Sequence, residues 1–287
     1  MKNILSEEFF ETYQQTQTAP IDATPTGIAT VDRIYRDAGG GRGLGRGAFV
    51  CIGANPGAGK SALALNFVSA ALSHGESVGI ISLEMSAAQL STRLYALHSG
   101  TALRLLEHGG FTELAWSDTK RSLEGLPPLY VPDSILSTWE SVVEYTKQCY
   151  AAGCRYVVLD YLQLVNTGDE DTIYRATQRV VTELRAFGAD NGCTIICLSQ
   201  FNRGTSSNYE TPPRSQGLFG GMILEASSDM CLLLDHSRYR RTDNTAQTFL
   251  CCTKNRHGPT CEIPVEWDYR TLRIREALED EEQYWPK

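Results

Sequence analysis

The chain of 287 residues has room for one large domain or two small ones, with ample capacity for a buried core. Its 42% hydrophobic and 21% charged content fits a globular protein, and no apolar run approaches the ~20 residues of a membrane span. A formal net charge of −8 argues against a protein that coats duplex DNA with a broad basic face, yet leaves room for a narrow nucleic-acid channel in an acidic body.

Residues 1–24 stand apart from the rest of the chain. Ile4, Leu5, Phe9, Phe10 and Tyr13 fall at near-helical spacing before a Thr/Gln-rich stretch, Pro20 and Pro25, and no signal-peptide core is present. This reads as a short amphipathic helix on a tether, either packed on its own domain or docked on a neighbouring subunit. The main domain, residues 25–275, opens at Thr26-Gly27-Ile28-Ala29-Thr30-Val31-Asp32. The glycine-dense segment 39–47 then reads as a flexible connector to the first strand.

An apolar run, Ala48-Phe49-Val50-Cys51-Ile52, leads into Ala54-Asn55-Pro56-Gly57-Ala58-Gly59-Lys60-Ser61 and then Ala62-Leu63-Ala64-Leu65. Strand, tight loop and helix are the context a P-loop requires. The glycines let backbone N–H groups converge on phosphate oxygens, and the helix N-terminus adds its positive dipole end. Lys60 is placed to reach the β/γ-phosphates and Ser61 to hold Mg²⁺, so the expected ligand is a nucleoside triphosphate with Mg²⁺. The strict pattern starts with glycine, and Ala54 stands there instead.

Residues 77–83 form a second apolar strand that ends in Glu84-Met85-Ser86, and Ser86 with Gln89 fits a capping box for a helix carrying Leu90, Leu94 and Leu97. Glu84 thus sits where a strand meets a helix, the end at which open α/β sheets collect ligands. On a strand neighbouring the P-loop strand it would orient an attacking water; position alone equally allows a solvated loop acid. Residues 101–127 read as helical, and Leu129-Tyr130-Val131 as a short strand. Ser137 with Glu140 fits a second capping box, opening a helix that runs to about Ala152.

Tyr156-Val157-Val158-Leu159-Asp160 has the form of a Walker B strand, buried and parallel, with the terminal carboxylate of Asp160 directed to the Mg²⁺ shell. A polar loop and a helix bearing Val180, Val181, Leu184 and Phe187 lead to residues 193–200, another buried strand. Its last residue, Gln200, is placed to sense the γ-phosphate and relay its loss to the long loop beyond it, up to Gly221. Arg203 and Arg214 are that loop's cations. Residues 230–235, 247–254 and 261–268 read as consecutive strands, so the sheet finishes with antiparallel pairs. Residues 276–287 carry five acids and one lysine and read as a solvated acidic tail.

Of the nine cysteines, Cys51, Cys193, Cys197, Cys231 and Cys251 lie in apolar strand-like runs, and no Cys-x-x-Cys pair occurs, so buried small hydrophobes are expected rather than a structural metal site. Free thiols and phosphate chemistry suit a reducing cytoplasm.

Taken in order, Ser82-Leu83-Glu84-Met85-Ser86, Asp160-Tyr161-Leu162-Gln163-Leu164, Leu198-Ser199-Gln200-Phe201-Asn202-Arg203 and Lys254-Asn255-Arg256-His257-Gly258-Pro259-Thr260 resemble the signatures of the ATPase domain of DnaB-type replicative helicases, within the RecA-like P-loop NTPases. The alanine-initiated P-loop is similar to theirs too, and the resemblance spans about residues 26–268. It implies an α/β fold with a mostly parallel central sheet flanked by helices, and a ring, usually hexameric, with ATP between subunits. It further implies Glu84 as the base that polarises water, Asp160 on Mg²⁺ through water, and Gln200 as the coupling residue. Lys254 and Arg256 would reach the neighbour's nucleotide, Arg256 as the arginine finger. The family's N-terminal collar, which meets primase, has no counterpart beyond a linker helix in residues 1–24. Where the family carries an Arg-Glu-Ser-Gly stretch that contacts single-stranded DNA, this chain has Phe219-Gly220-Gly221-Met222, with Glu225 and Asp229 still matching, so phosphate contacts would fall to the N–H groups of Gly220 and Gly221.

The leading expectation is therefore an ATP-driven ring helicase or translocase on single-stranded DNA in replication, with a primase or loader as a further partner and no membrane association. A filament-forming RecA-like recombinase or annealing ATPase, and a regulatory or scaffold ATPase that does no DNA work, are the alternatives.

Overall fold

The computed structural model describes residues 22–35, 43–109, 112–136, 138–160, 162, 173–202, 217–241 and 245–277. The apolar runs pair into a nine-stranded sheet built from β3 (Phe49–Ala54), β4 (Val78–Ser82), β5 (Leu129–Tyr130), β6 (Tyr156–Asp160), β7 (Thr194–Gln200), β8 (Met230–Arg241), β9 (Thr245–Asn255), β10 (Cys261–Asp268) and β11 (Arg273–Glu276). The order is β11-β10-β9-β8-β3-β7-β6-β4-β5. Strands β8 to β5 are mutually parallel, and β8/β9, β9/β10 and β10/β11 pair antiparallel, as the sequence pattern indicates.

The central parallel strands β3, β4, β6 and β7 are buried along nearly their whole length and are mostly apolar, because both faces are covered. In β3, Val50, Ile52 and Ala54 enter one core, with Leu63, Phe67 and Val68 of helix α2 (Lys60–Ser73) and Leu90, Leu94 and Leu97 of α3 (Ala87–Ser99). The alternate residues Phe49 and Cys51 enter the other core. There they meet Val142 and Val143 of α6 (Trp139–Ala151) and Val180, Val181 and Leu184 of α7 (Ile173–Asn191). The remaining helices are α1 (Ala29–Ile34), α4 (Leu103–His108), α5 (Glu113–Leu123) and α8 (Gly221–Ser227). Among the described residues no helix is long and apolar enough to cross a membrane. Eight of the nine cysteines are buried and all are free, Cys261 being half-buried.

Several expectations change in detail. Strand β4 does not neighbour β3: β7 and β6 lie between them, because the chain crosses to the far side of the sheet and fills the gap later. The box at Ser86 and Gln89 forms. The helix at 139 is instead capped by Thr138, whose Oγ1 accepts from the Ser141 N–H at 3.3 Å, a pairing one residue beyond the Ser137/Glu140 spacing; Ser137 itself lies outside the described residues. The end of the glycine-dense segment is built into the domain. Leu44 and Gly45 form β2 against β1 (Ala23–Thr24), and Leu44 is fully buried. Gly43 has φ of 125°, and a Cβ there would lie 2.3 Å from the Thr24 carbonyl oxygen. Residues 23–24 thus belong to the domain rather than to an arm, whose residues 1–21 are outside the described residues. Glu276 is not part of a solvated tail either: it ends β11 and accepts from the Thr30 N–H at 2.9 Å and the Thr30 hydroxyl at 2.5 Å, at the start of α1. Residues 278–287 fall outside the described residues.

Candidate functional site

The carboxyl ends of β3, β7, β6 and β4 line one edge of the sheet. Register fixes their alignment, with Ala54 opposite Gln200 and Ser82 opposite Asp160. Beyond β3, the Ala58 N–H donates to the Asn55 carbonyl at 3.1 Å, and Gly57 and Gly59 take φ of 74° and 92°. The chain then enters α2 at Lys60 with Gly59 as its cap and no side chain on the first N–H groups. An uncapped helix start offers donors and a positive dipole end, the arrangement that receives an anion. Only glycine fits at position 59, because a Cβ there would lie 2.1 Å from the ring of Trp267 on β10.

Lys60 and Asp160 are 5% and 3% exposed, and Lys60 Nζ lies 3.1 Å from Asp160 Oδ1. The Leu83 N–H donates to the Asp160 carbonyl at 2.6 Å, which brings the exposed Glu84 to the same edge. The Met85 N–H donates to Ser82 Oγ at 2.8 Å as the chain turns out of β4. Gln200 ends β7, and its carbonyl accepts from the Phe219 N–H at 2.9 Å, tying the strand end to the residues that precede α8. The structure therefore brings together the P-loop Ala54-Asn55-Pro56-Gly57-Ala58-Gly59-Lys60-Ser61, Glu84, Asp160 and Gln200.

Lys254 and Arg256 are not among them. Strand β9 is antiparallel to β8, so Asn255 pairs with Met230, and Asp229 just before it donates its N–H to the Phe49 carbonyl at the start of β3. The six residues of β3 separate this edge from the P-loop by roughly 17 Å at the usual rise per residue, farther than an arginine side chain spans. Here Lys254 Nζ donates to the carbonyls of Glu225 and, at 3.3 Å, Ala226, while Arg256 Nη2 donates to the Ala226 carbonyl. These carbonyls end α8, where a helix accepts cations. Burial, and then the adjacent Arg256 charge, lower the Lys254 pKa.

Gly220 caps α8 at φ 66°, but the Gly221 N–H is donated to the Leu218 carbonyl at 2.8 Å. The tight entry into the helix uses that donor, so Gly221 does not offer it to a phosphate as the sequence pattern suggested. Arg203 and Arg214 lie outside the described residues. Trp267 was missed by sequence reasoning: in an alternating strand it looks like any core aromatic, and only the fold lays it on Gly59. Arg185 and the role of Asp229 were missed likewise, since no local pattern joins a helix-surface arginine to a strand-start aspartate.

The donor set fits a triphosphate with Mg²⁺. A lysine and a carboxylate are buried together at an uncapped helix start. In the loop between β3 and α2 the buried Asn55 Oδ1, an acceptor, has no hydrogen-bond partner among the described residues.

The family model described as DnaB-like helicase C terminal domain matches residues 24–276. The replicative DNA helicase DnaB of Leifsonia xyli subsp. xyli is 28% identical over 254 residues, covering 84% of this chain and 53% of the relative. The chain thus spans about half the length of that curated relative. Among solved structures, the ATPase domain of G40P superposes with a TM-score of 0.81 at 20% identity, covering 97% of this chain and all of that one. A DnaB-like replicative helicase, studied with its interactions with primase, gives 0.79 at 21% identity and covers 96% of this chain and 68% of that one. Both likenesses show the RecA-like α/β fold.

Proposed function

The chain belongs to the DnaB-like helicase C terminal domain family, and on that premise we propose that it is an ATP-hydrolysing helicase motor that works on single-stranded DNA as a ring, of six subunits by family resemblance, in the cytoplasm of a bacterium or phage host. One observation supports this reading above the rest. The residues that hold a triphosphate stand at one edge of the sheet, and the cations Lys254 and Arg256 stand at the other. A subunit so built completes its neighbour's site and not its own.

In this reading the P-loop N–H groups and Lys60 hold the phosphates of ATP, and Ser61 and Asp160 hold Mg²⁺, Asp160 through water. Mg²⁺, when bound, neutralises phosphate charge. Glu84 orients and polarises the attacking water. Gln200 passes the state of the site to the loop after β7 through the Phe219 bond. Arg256, with Lys254, stabilises transition-state charge in the adjacent subunit, a contribution on the order of a thousandfold or more for fingers supplied in trans. DNA contacts fall to the loop carrying Arg203 and Arg214 and to Gly220, and a primase or loader is a further partner.

The test is ATP turnover with and without oligo-dT, together with light scattering for size. DNA-stimulated turnover by a ring, abolished in Lys60→Ala, supports the proposal. Turnover that DNA leaves unchanged at low salt sinks the translocase, and full activity in a monomer sinks the shared site.

A further inference from the structure

Asp229 is held by Phe49, Arg185 and Arg256, and the expected catalytic machinery does not use it. It is buried, with its side chain 5% exposed, between the start of β3, the start of β8 and α7. Arg185 of α7 binds it with both arms of its guanidinium, Nη1 to Oδ2 at 2.6 Å and Nη2 to Oδ1 at 2.9 Å, and Nη1 also donates to the Gly47 carbonyl at 3.2 Å. The Phe49 N–H donates to Oδ2 at 2.9 Å. The remaining side of Oδ1 faces Arg256, whose Nη1 is 3.5 Å away. The Arg256 backbone N–H donates to the Asp229 carbonyl at 2.8 Å, so one residue holds both the main chain and the head of Arg256. The Ala226 carbonyl takes the other arm.

We propose that Asp229, clamped by Arg185, is the positioning residue for Arg256, presenting it in a fixed attitude to the neighbouring subunit's nucleotide. An arginine is long and rotamer-rich, and its use in trans requires its head to be at one place when charge develops. Two anchors on one carboxylate and one helix end supply that order before assembly. The Arg256 side chain is still 44% exposed, so the clamp leaves part of it open to a partner. Arg185 makes the arrangement stiff: a bidentate arginine fixes the plane of the carboxylate, and Asp229 cannot turn to follow a moving finger. The inference rests on the proposed trans role of Arg256.

The decisive measurement is complementation. In Asp229→Asn the P-loop, Glu84 and Asp160 are untouched while the finger loses its charged anchor. Basal turnover should fall about ten- to a hundredfold, as for a misplaced catalytic group, with KM for ATP little changed. Lys60→Ala subunits have no working P-loop but an intact finger. Mixed in equal amounts with Asp229→Asn, they should restore turnover to about a quarter of the wild-type level, the chance that a good P-loop meets a good finger in a random ring. Arg256→Ala mixed with Lys60→Ala is the control. If the control complements and Asp229→Asn does not, Asp229 acts on its own subunit's strand β3 and the inference is overturned. If the control also fails, the shared-site reading itself falls. Should Asp229→Asn not fold, Arg185→Gln, which acts from a side chain 28% exposed, probes the same clamp and must complement in the same way.

Discussion

The ion pair between Lys60 and Asp160 offers a stability measurement that is independent of catalysis. Both groups are almost wholly removed from water, and their charged atoms are 3.1 Å apart. Lys60→Met keeps the length of the side chain and deletes the charge, leaving a carboxylate 3% exposed with no counter-ion. Removing one partner of a buried pair costs about 3–5 kcal/mol, whereas replacing both by apolar groups of similar size is close to neutral. At ~2–4 °C per kcal/mol for a chain of this size, Lys60→Met should melt on the order of 10 °C below the parent. Lys60→Met/Asp160→Leu should regain most of that loss. The assay is thermal unfolding followed by circular dichroism, without nucleotide and at one protein concentration, since ligand and assembly both shift the midpoint. A coupling energy of roughly 2 kcal/mol or more in the double-mutant cycle is expected. If Lys60→Met melts within ~2 °C of the parent, or if the two changes simply add, the reasoning is refuted.

Gly59→Ala should lower the melting midpoint and weaken nucleotide binding at least about tenfold, because a left-handed alanine costs ~1–2 kcal/mol and its methyl meets Trp267; unchanged binding in a fluorescent-nucleotide titration would contradict this. His98, its pKa lowered from 6.5 by burial and then by Arg273, favours the neutral form in the fold. The unfolded chain therefore takes up its proton first, and stability should fall as pH drops from above 6.5 toward the lowered folded value. The difference between the parent and His98→Gln melting profiles over that window checks the sign. Glu276→Ala removes both bonds to Thr30 and should cost about 1–2 kcal/mol, read in urea unfolding; no change would return Glu276 to a free tail.

The sequence made the sheet legible where strands were buried and mostly apolar, as in the runs 48–52 and 193–200, the latter with a polar end. It did less well where backbone pairing outlasts the apolar residues. Strands β8 and β9 run on to Arg241 and back from Thr245, with Arg240 paired to Gln247 and Arg241 to Ala246. Glu276 reads as one more acid in an acidic stretch until Thr30, 246 residues away, is brought beside it. At the site, the P-loop and Asp160 are local patterns and could be read one at a time. That Arg256 faces away from its own P-loop is a property of strand direction and order. It follows from β9 running against β8, which sets residues 254–256 beside the start of β8.

Strand β10 puts Trp267 on the loop that receives phosphate, and the turn joining it to β9 carries Arg256 at the other extremity. Its eight residues make a ruler of roughly 25 Å. In the proposed ring this ruler sets how far apart the pocket a subunit owns and the pocket it serves must stand. The spacing of pockets around the ring would then be written in the length of one hairpin. Two residues added to both strands where they meet their turn would preserve the existing pairs of β9 with β8 and β10 and the facing of each side chain, and yet produce subunits that fold, bind nucleotide and no longer fit one another.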